Sequence, residues 1–172
     1  MSGPDNLDRV SVMTPEDLPA LAGPEVRALL GYWDAGRNGR AMPRRESFDP
    51  VDVPQYLPGI ILLDVEGERP DGSGIYRYRV VGTYEVNTRG HNPTGRLVED
   101  GYFAESLQSA LADYDQVRLS KRPLYAPVSF RDERGLMVRE DSILLPFSED
   151  GQSVSHIVVY SARQPIPQGL GR

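Results

Sequence analysis

The residues able to do chemistry are few and scattered along the chain. There are two histidines. His91 sits in a polar Gly-His-Asn-Pro turn, where it can serve as a ligand donor or haem ligand or simply stand in solvent. His156 shares one face of a strand-like run with Val154, Val158 and Tyr160. It reaches a cavity if that face is concave and lies under an N-terminal helix if it is convex. A zinc site would need both histidines plus carboxylates, and no supporting spacing is present. Acids are paired at Glu99-Asp100, Asp132-Glu133, Glu140-Asp141 and Glu149-Asp150. Neighbours on a strand leave on opposite faces, so none of these makes a catalytic dyad by sequence. Glu140 or Asp141, inside a strand, is expected to pair with Arg79 or Arg139. Arg37, Arg40, Arg44 and Arg45 crowd one connector, a grip for phosphate or a solvated surface. Tyrosines are the stronger signal. Tyr76 and Tyr78 share a strand face, Tyr114 lies on a helix, and Tyr125 and Tyr160 fall on later strands. A tyrosine buries a ring while offering a hydroxyl, which suits a pocket that shelters and orients a small molecule.

Composition removes several classes. The chain has 172 residues, enough for one domain with a sizeable core. Its formal charge of −6 argues against a nucleic-acid footprint, which needs a basic face. Cysteine is absent, so disulfides, thiolate metal sites and cysteine nucleophiles are excluded. There is no Gly-x-Ser-x-Gly elbow, phosphate-binding Gly-rich loop, dinucleotide fingerprint or His-Glu-x-x-His pattern. No apolar run has the length of a membrane span and the N-terminus lacks a signal-peptide core, so a cytoplasmic location is the expectation.

The elements that must position these residues follow from periodicity. Residues 1–12 carry little that can pack, and 1–23 are expected to be a flexible segment holding one short helix that starts at Thr14-Pro15. Residues 24–35 form a helix whose Val26, Leu29, Leu30 and Trp33 make one apolar stripe. Residues 59–65 are a nearly unbroken apolar run, a strand buried on both faces. Residues 75–81 alternate apolar residues with arginines, a second strand, and Thr83 to Arg89 makes a short helix closed by Gly90. A long helix is expected over 102–120, and three strands over 124–130, 136–147 and 153–162, joined by hairpin turns. Pro127 marks the first of these as an edge or bulged strand. Residues 164–172 read as a loose tail.

The stretch Tyr-Arg-Val-Val-Gly-Thr through Gly-His-Asn-Pro-Thr-Gly, with the ending Leu144-Leu145-Pro146 … Gly151 … Val154, resembles the PAS domain, and in particular the short stand-alone PAS-like proteins of bacteria. The resemblance covers roughly residues 24–163. It implies an α+β fold: a five-stranded antiparallel sheet with covering helices, an N-terminal flanking helix, and the first and last strands side by side at the centre. It implies a regulatory sensor or interaction module and not an enzyme. A small molecule would be bound in a cavity and signalling would pass through a partner protein, since no kinase, cyclase or DNA-binding segment is attached. The candidate ligand contacts are Tyr78, Arg79, Asn87, Tyr114, Tyr125, Arg139 and His156. Because strand neighbours alternate, Tyr78 and Arg79 cannot both face inward without a bulge, and the tyrosine is the expected inward residue. The apolar stripe Val26, Leu29, Leu30 and Trp33 is expected to centre a homodimer, since left undocked it would expose several hundred Å². The competing reading is a small cavity enzyme, an isomerase or hydratase, using a His–carboxylate or two-carboxylate pair that converges in the pocket.

PAS haem proteins usually take their iron ligand from the long helix, and residues 102–120 hold no histidine. With cysteine also missing, no covalent cofactor is expected and any small molecule is of unknown kind. The purified protein should therefore be colourless; a Soret band or a flavin spectrum retained through gel filtration would overturn this.

Overall fold

The computed structural model describes residues 9–102, 107–131 and 134–164. Of the expected flexible segment 1–23, residues 1–8 lie outside the described residues, and of the expected tail 164–172, residues 165–172 do. The chain builds β1 (Val10–Ser11), α1 (Pro24–Gly36), β2 (Ile60–Glu68), β3 (Gly74–Val81), α2 (Thr83–Arg89), α3 (Val98–Gly101), α4 (Leu107–Ser120), β4 (Leu124–Tyr125), β5 (Val128–Arg131), β6 (Met137–Phe147) and β7 (His156–Gln164), with short 3₁₀ turns between α1 and β2. All seven strands belong to one antiparallel sheet in the order β1-β4-β6-β7-β2-β3, with β5 also pairing with β6. The first long strand and the last lie side by side at the centre, Ile60 opposite Tyr160 and Asp64 opposite His156.

Two departures from the expected five strands have local causes. The strand expected over 124–130 is broken into β4 and β5 at Ala126-Pro127, where proline supplies no backbone donor; both pieces pair with β6. The extra strand is β1. Residues 10–12 do pack: Val10 and Ser11 pair with Tyr125 and Leu124, the Val12 N–H donates to the Pro123 carbonyl at 3.0 Å, and the Val12 side chain is fully buried.

Alternation along β6 assigns the two faces of the sheet. Arg139, Asp141, Ile143 and Leu145 look toward α1, and Glu140, Ser142 and Leu144 toward α2 and α4. On the α1 face the Asp141 carboxylate is completely buried and takes three hydrogen bonds: the Gly23 N–H at 2.7 Å, the Tyr125 hydroxyl at 2.7 Å and the Arg139 guanidinium at 2.9 Å. Arg139 thus pairs with one of the two acids as expected. The carboxylate sits at the N-cap residue of α1, Gly23, and pins the start of the helix to the sheet.

The stripe Val26, Leu29, Leu30 and Trp33 is buried to the last atom against its own sheet, and the Trp33 indole N–H donates to the Pro146 carbonyl at 2.7 Å. The expectation of a dimer centred on these residues is corrected here. One chain's helix covers one chain's sheet face, so no exposed stripe is left for a second copy. Trp33→Ala should cost about 3–5 kcal/mol of stability. The pair Leu30→Glu and Trp33→Glu should unfold the domain and not yield a folded monomer, as far-ultraviolet circular dichroism with denaturant titration would show.

Candidate functional site

Between the other sheet face and the helices α2 and α4 lies a cavity of about 300 Å³. Its apolar wall includes Ile61, Ala126, Leu144 and Val159, and its polar wall includes Glu85, Arg89, Glu140, Ser142 and Ser161. Tyr102, Ala110 and Tyr114 face it from the helical side, and Arg9, ion-paired to Asp113, stands at its margin.

The helix α2 supplies the charged wall. Its start is set by Gly82, where a Cβ would lie 2.3 Å from the Pro58 carbonyl oxygen and 2.4 Å from that of Leu57. Only glycine lets the end of β3 run this close to the preceding turn, and its N–H donates to the Ile60 carbonyl at 2.7 Å. The helix closes at Gly90, which is left-handed at φ 79°. Within this seven-residue helix Glu85 and Arg89 are four residues apart and share a face, Arg89 Nε standing 3.6 Å from Glu85 Oε2. The Arg89 guanidinium lies over the rings of Tyr78 and Tyr102, at 5.8 and 5.7 Å from their centroids.

Several polar atoms here lack partners. Arg89 Nε and the Tyr78 hydroxyl are buried without a hydrogen bond. Tyr114, only 6 % exposed, lines the cavity and makes an edge-on contact with Tyr76, and its hydroxyl donates to none of the described residues. On the floor, Ser142 and Ser161 bond each other at 2.7 Å. Burial raises the pKa of both cavity carboxyls. For Glu85 desolvation dominates, Arg89 pulls it back and Glu140 adds to the rise. For Glu140 desolvation again dominates, opposed by Arg163 and by a hydrogen bond from Ser161.

The residues named from the sequence divide between the two faces. Tyr78 and Tyr114 are on the cavity side; Tyr114 lines the cavity, and Tyr78 is fully buried beneath Arg89. Alternation along β3 sends Tyr78 inward beside Tyr76 and leaves Arg79 outside, paired with Asp64 at 2.8 Å. Arg79 is thereby corrected as a cavity anchor. Tyr125 and Arg139 are corrected as well: their strand positions place them in the Asp141 network under α1. Asn87 is exposed on the outer side of α2. His156 faces away from the cavity. Its Nε2 is 3.2 Å from Asp64 Oδ1, Ser155 Oγ is 2.8 Å from its Nδ1, and burial lowers its pKa against the pull of Asp64. His91 stays in its turn near the Arg89 and Gly101 carbonyls, at 3.4 and 3.3 Å. Sequence reasoning missed Glu85, Arg89 and Glu140. The i, i+4 spacing of the first two was a usable signal, whereas choosing Glu140 over Asp141 required the register.

No cluster of three or more His, Asp or Glu able to hold a metal ion occurs among the described residues, and none of the helices there is long and apolar enough to cross a membrane.

A family model described as PAS domain matches residues 22–160. The chain belongs to the PAS domain family, and the antiparallel sheet with its first and last long strands adjacent is the expected architecture. No curated protein matches the sequence. Among solved structures it is similar to a light-oxygen-voltage domain studied with a flavin analogue, at 9 % identity and TM-score 0.45, covering 67 % of this chain and 83 % of that one. It is similar too to the light-oxygen-voltage domain of the photoreceptor aureochrome 1 in its light state (8 %, TM-score 0.43, 66 % and 87 % covered). A third likeness is to a Rhodobacter sphaeroides light-oxygen-voltage protein (11 %, TM-score 0.43, 63 % and 60 % covered).

A glutamate whose pKa is raised on folding binds more protons in the native than in the unfolded state, so stability falls as the pH rises through its titration. Glu140→Gln removes that penalty. The variant should melt at a higher temperature than wild type near neutral pH, and the difference should close as the pH is lowered toward 4.5, the ordinary glutamate value. Thermal melts across that range measure both.

Proposed function

We propose that this PAS domain is a regulatory sensor that binds a small molecule in the cavity between the sheet and α2/α4 and signals through a partner protein. The observation that carries the reading is the cavity itself, about 300 Å³, walled by apolar strand residues on one side and by Glu85, Arg89 and Glu140 on the other, with Arg89 Nε buried and without a hydrogen bond. A pocket with a mostly apolar wall and a few convergent polar groups is the arrangement that binds small ligands. A route outward is available. The Arg9–Asp113 ion pair joins the residue before β1 to α4 at the cavity margin. A ligand that prefers one arrangement of this pair shifts β1 and the exposed edge around it, and a partner reads that shift. Self-association is retained as a proposal on a surface other than the buried α1 stripe.

The enzyme alternative has one observation in its favour. The His156–Asp64 pair lies outside the lining of this cavity, whereas Glu85 and Glu140 are two carboxyls facing it. The fate of the ligand separates the two readings. Mass spectrometry of small molecules released by gentle denaturation should identify one compound retained in stoichiometric amount. Returned to fresh protein, it should be recovered unchanged. Conversion of the added compound would favour the enzyme. No retained compound, together with unaltered melting of Ser161→Phe, which fills the cavity floor, would remove the sensor reading.

A further inference from the structure

We infer that the cavity is built for a small zwitterion carrying an ammonium and a carboxylate on neighbouring atoms with a compact apolar remainder, that is, an α-amino acid. The inference rests on the cavity being a ligand site and adds the ligand's chemical class. Three independent features support it. First, Arg89 has a buried Nε with no hydrogen bond, 3.6 Å from Glu85 Oε2 and within electrostatic reach of Glu140. The rings of Tyr78 and Tyr102 hold the guanidinium plane in place. A fixed planar fork with its Nε donor unused matches a carboxylate in two-point fashion. Second, Glu85, a buried carboxyl on α2, and Glu140, a half-buried one on β6 with Arg163 nearby, line the same cavity. A ligand ammonium placed between them relieves their mutual repulsion and supplies up to three donors to their carboxylate oxygens. Asp113 is not needed for this, since Arg9 takes it. Third, the Tyr114 hydroxyl faces the cavity from a residue 94 % buried and makes no bond with the described residues. A hydroxyl that both donates and accepts serves either end of a zwitterion.

The remaining wall sets the rest of the ligand. Ile61, Leu144 and Val159 are apolar and lie on the strand floor, so a branched or aromatic side chain buries against them better than a charged one. Arg89 and Glu85 are adjacent, 3.6 Å apart, so the two ligand charges must also be adjacent. A simple amine leaves the Arg89 fork empty, and a simple acid places a third anion beside two carboxyls.

The experiment uses the full chain, unfolded and refolded to strip any resident molecule. The twenty standard L-amino acids are screened by thermal shift, and every hit is titrated by calorimetry beside its own amine and acid analogues. For leucine these are 3-methylbutylamine and 4-methylpentanoate; for phenylalanine, 2-phenylethylamine and 3-phenylpropanoate. The expected result is binding of at least one apolar amino acid, with each analogue weaker by about tenfold or more, the loss of one charge-assisted hydrogen-bonded group. Arg89→Met should abolish binding, and Glu140→Gln should weaken it about tenfold or more while folding at least as well as wild type. Equal binding of the acid analogue, or of the amine, overturns the zwitterion. So does the absence of any hit while the native protein releases a compound lacking one of the two charges, a result that leaves the cavity a ligand site. No hit, no released compound and unaltered melting of Ser161→Phe overturn both readings together.

Discussion

Strand β6 serves two layers at once, because successive side chains on a pleated strand leave on opposite faces. Asp141 goes to α1 and Glu140 to the cavity, and the rest of the structure is arranged around that division. A carboxylate as fully buried as Asp141 is expensive to desolvate, and an unpaired one would unfold the domain. Three donors on three different segments (Gly23 ahead of α1, Tyr125 on β4 and Arg139 on β6 itself) compensate it, and in doing so they fix where α1 begins relative to the sheet. With α1 seated there, its apolar stripe closes one sheet face completely.

The opposite face is closed less completely, and that difference makes the cavity. Tyr76 and Tyr78 from β3 fill the space under α4, with Tyr76 bonded to Asp115 at 2.5 Å and edge-on to Tyr114. Nearer β6 the strand residues become small, Ser142, Ser161 and Ala126, and α2 stands off them carrying Glu85 and Arg89. Small residues on the floor and charged ones on the wall do not close up on each other, since collapse would bury two carboxyls against serine hydroxyls and apolar side chains. The cavity is thus maintained by the same desolvation penalty that raises the pKa of its carboxyls.

The histidine–carboxylate contact on the other face illustrates how weakly residue type alone predicts chemistry. Ser155 Oγ and Asp64 Oδ1 flank the ring nitrogens of His156 at 2.8 and 3.2 Å, yet Asp64 Oδ1 takes no hydrogen bond, and all three stand on the α1 side near Arg79 and Arg45. They lie outside the lining of the cavity under α2 and α4, and His156 and Asp64 face each other across the β2–β7 pair.

Local pattern determined a great deal. The stripe of α1 was readable from i, i+3, i+4 spacing, the central pair of strands from unbroken apolar runs, and α2 from the glycines that bracket it. Those signals are intrinsic to short segments, so a sequence carries them. That Tyr78 and Arg79 face opposite ways was readable too, since alternation forbids both from facing one way. What only the tertiary structure decided was which face of each strand meets which helix. Period two labels the residues of a strand as two sets without saying which set is inside. That ambiguity put Tyr125, Arg139 and His156 among the cavity candidates and left Glu140 out. Whether an apolar helical stripe is covered by its own sheet or by a second chain is undetermined for the same reason: burial is a property of the partner surface, and the partner of α1 is set by the buried Asp141 carboxylate, 118 residues away from Gly23 along the chain.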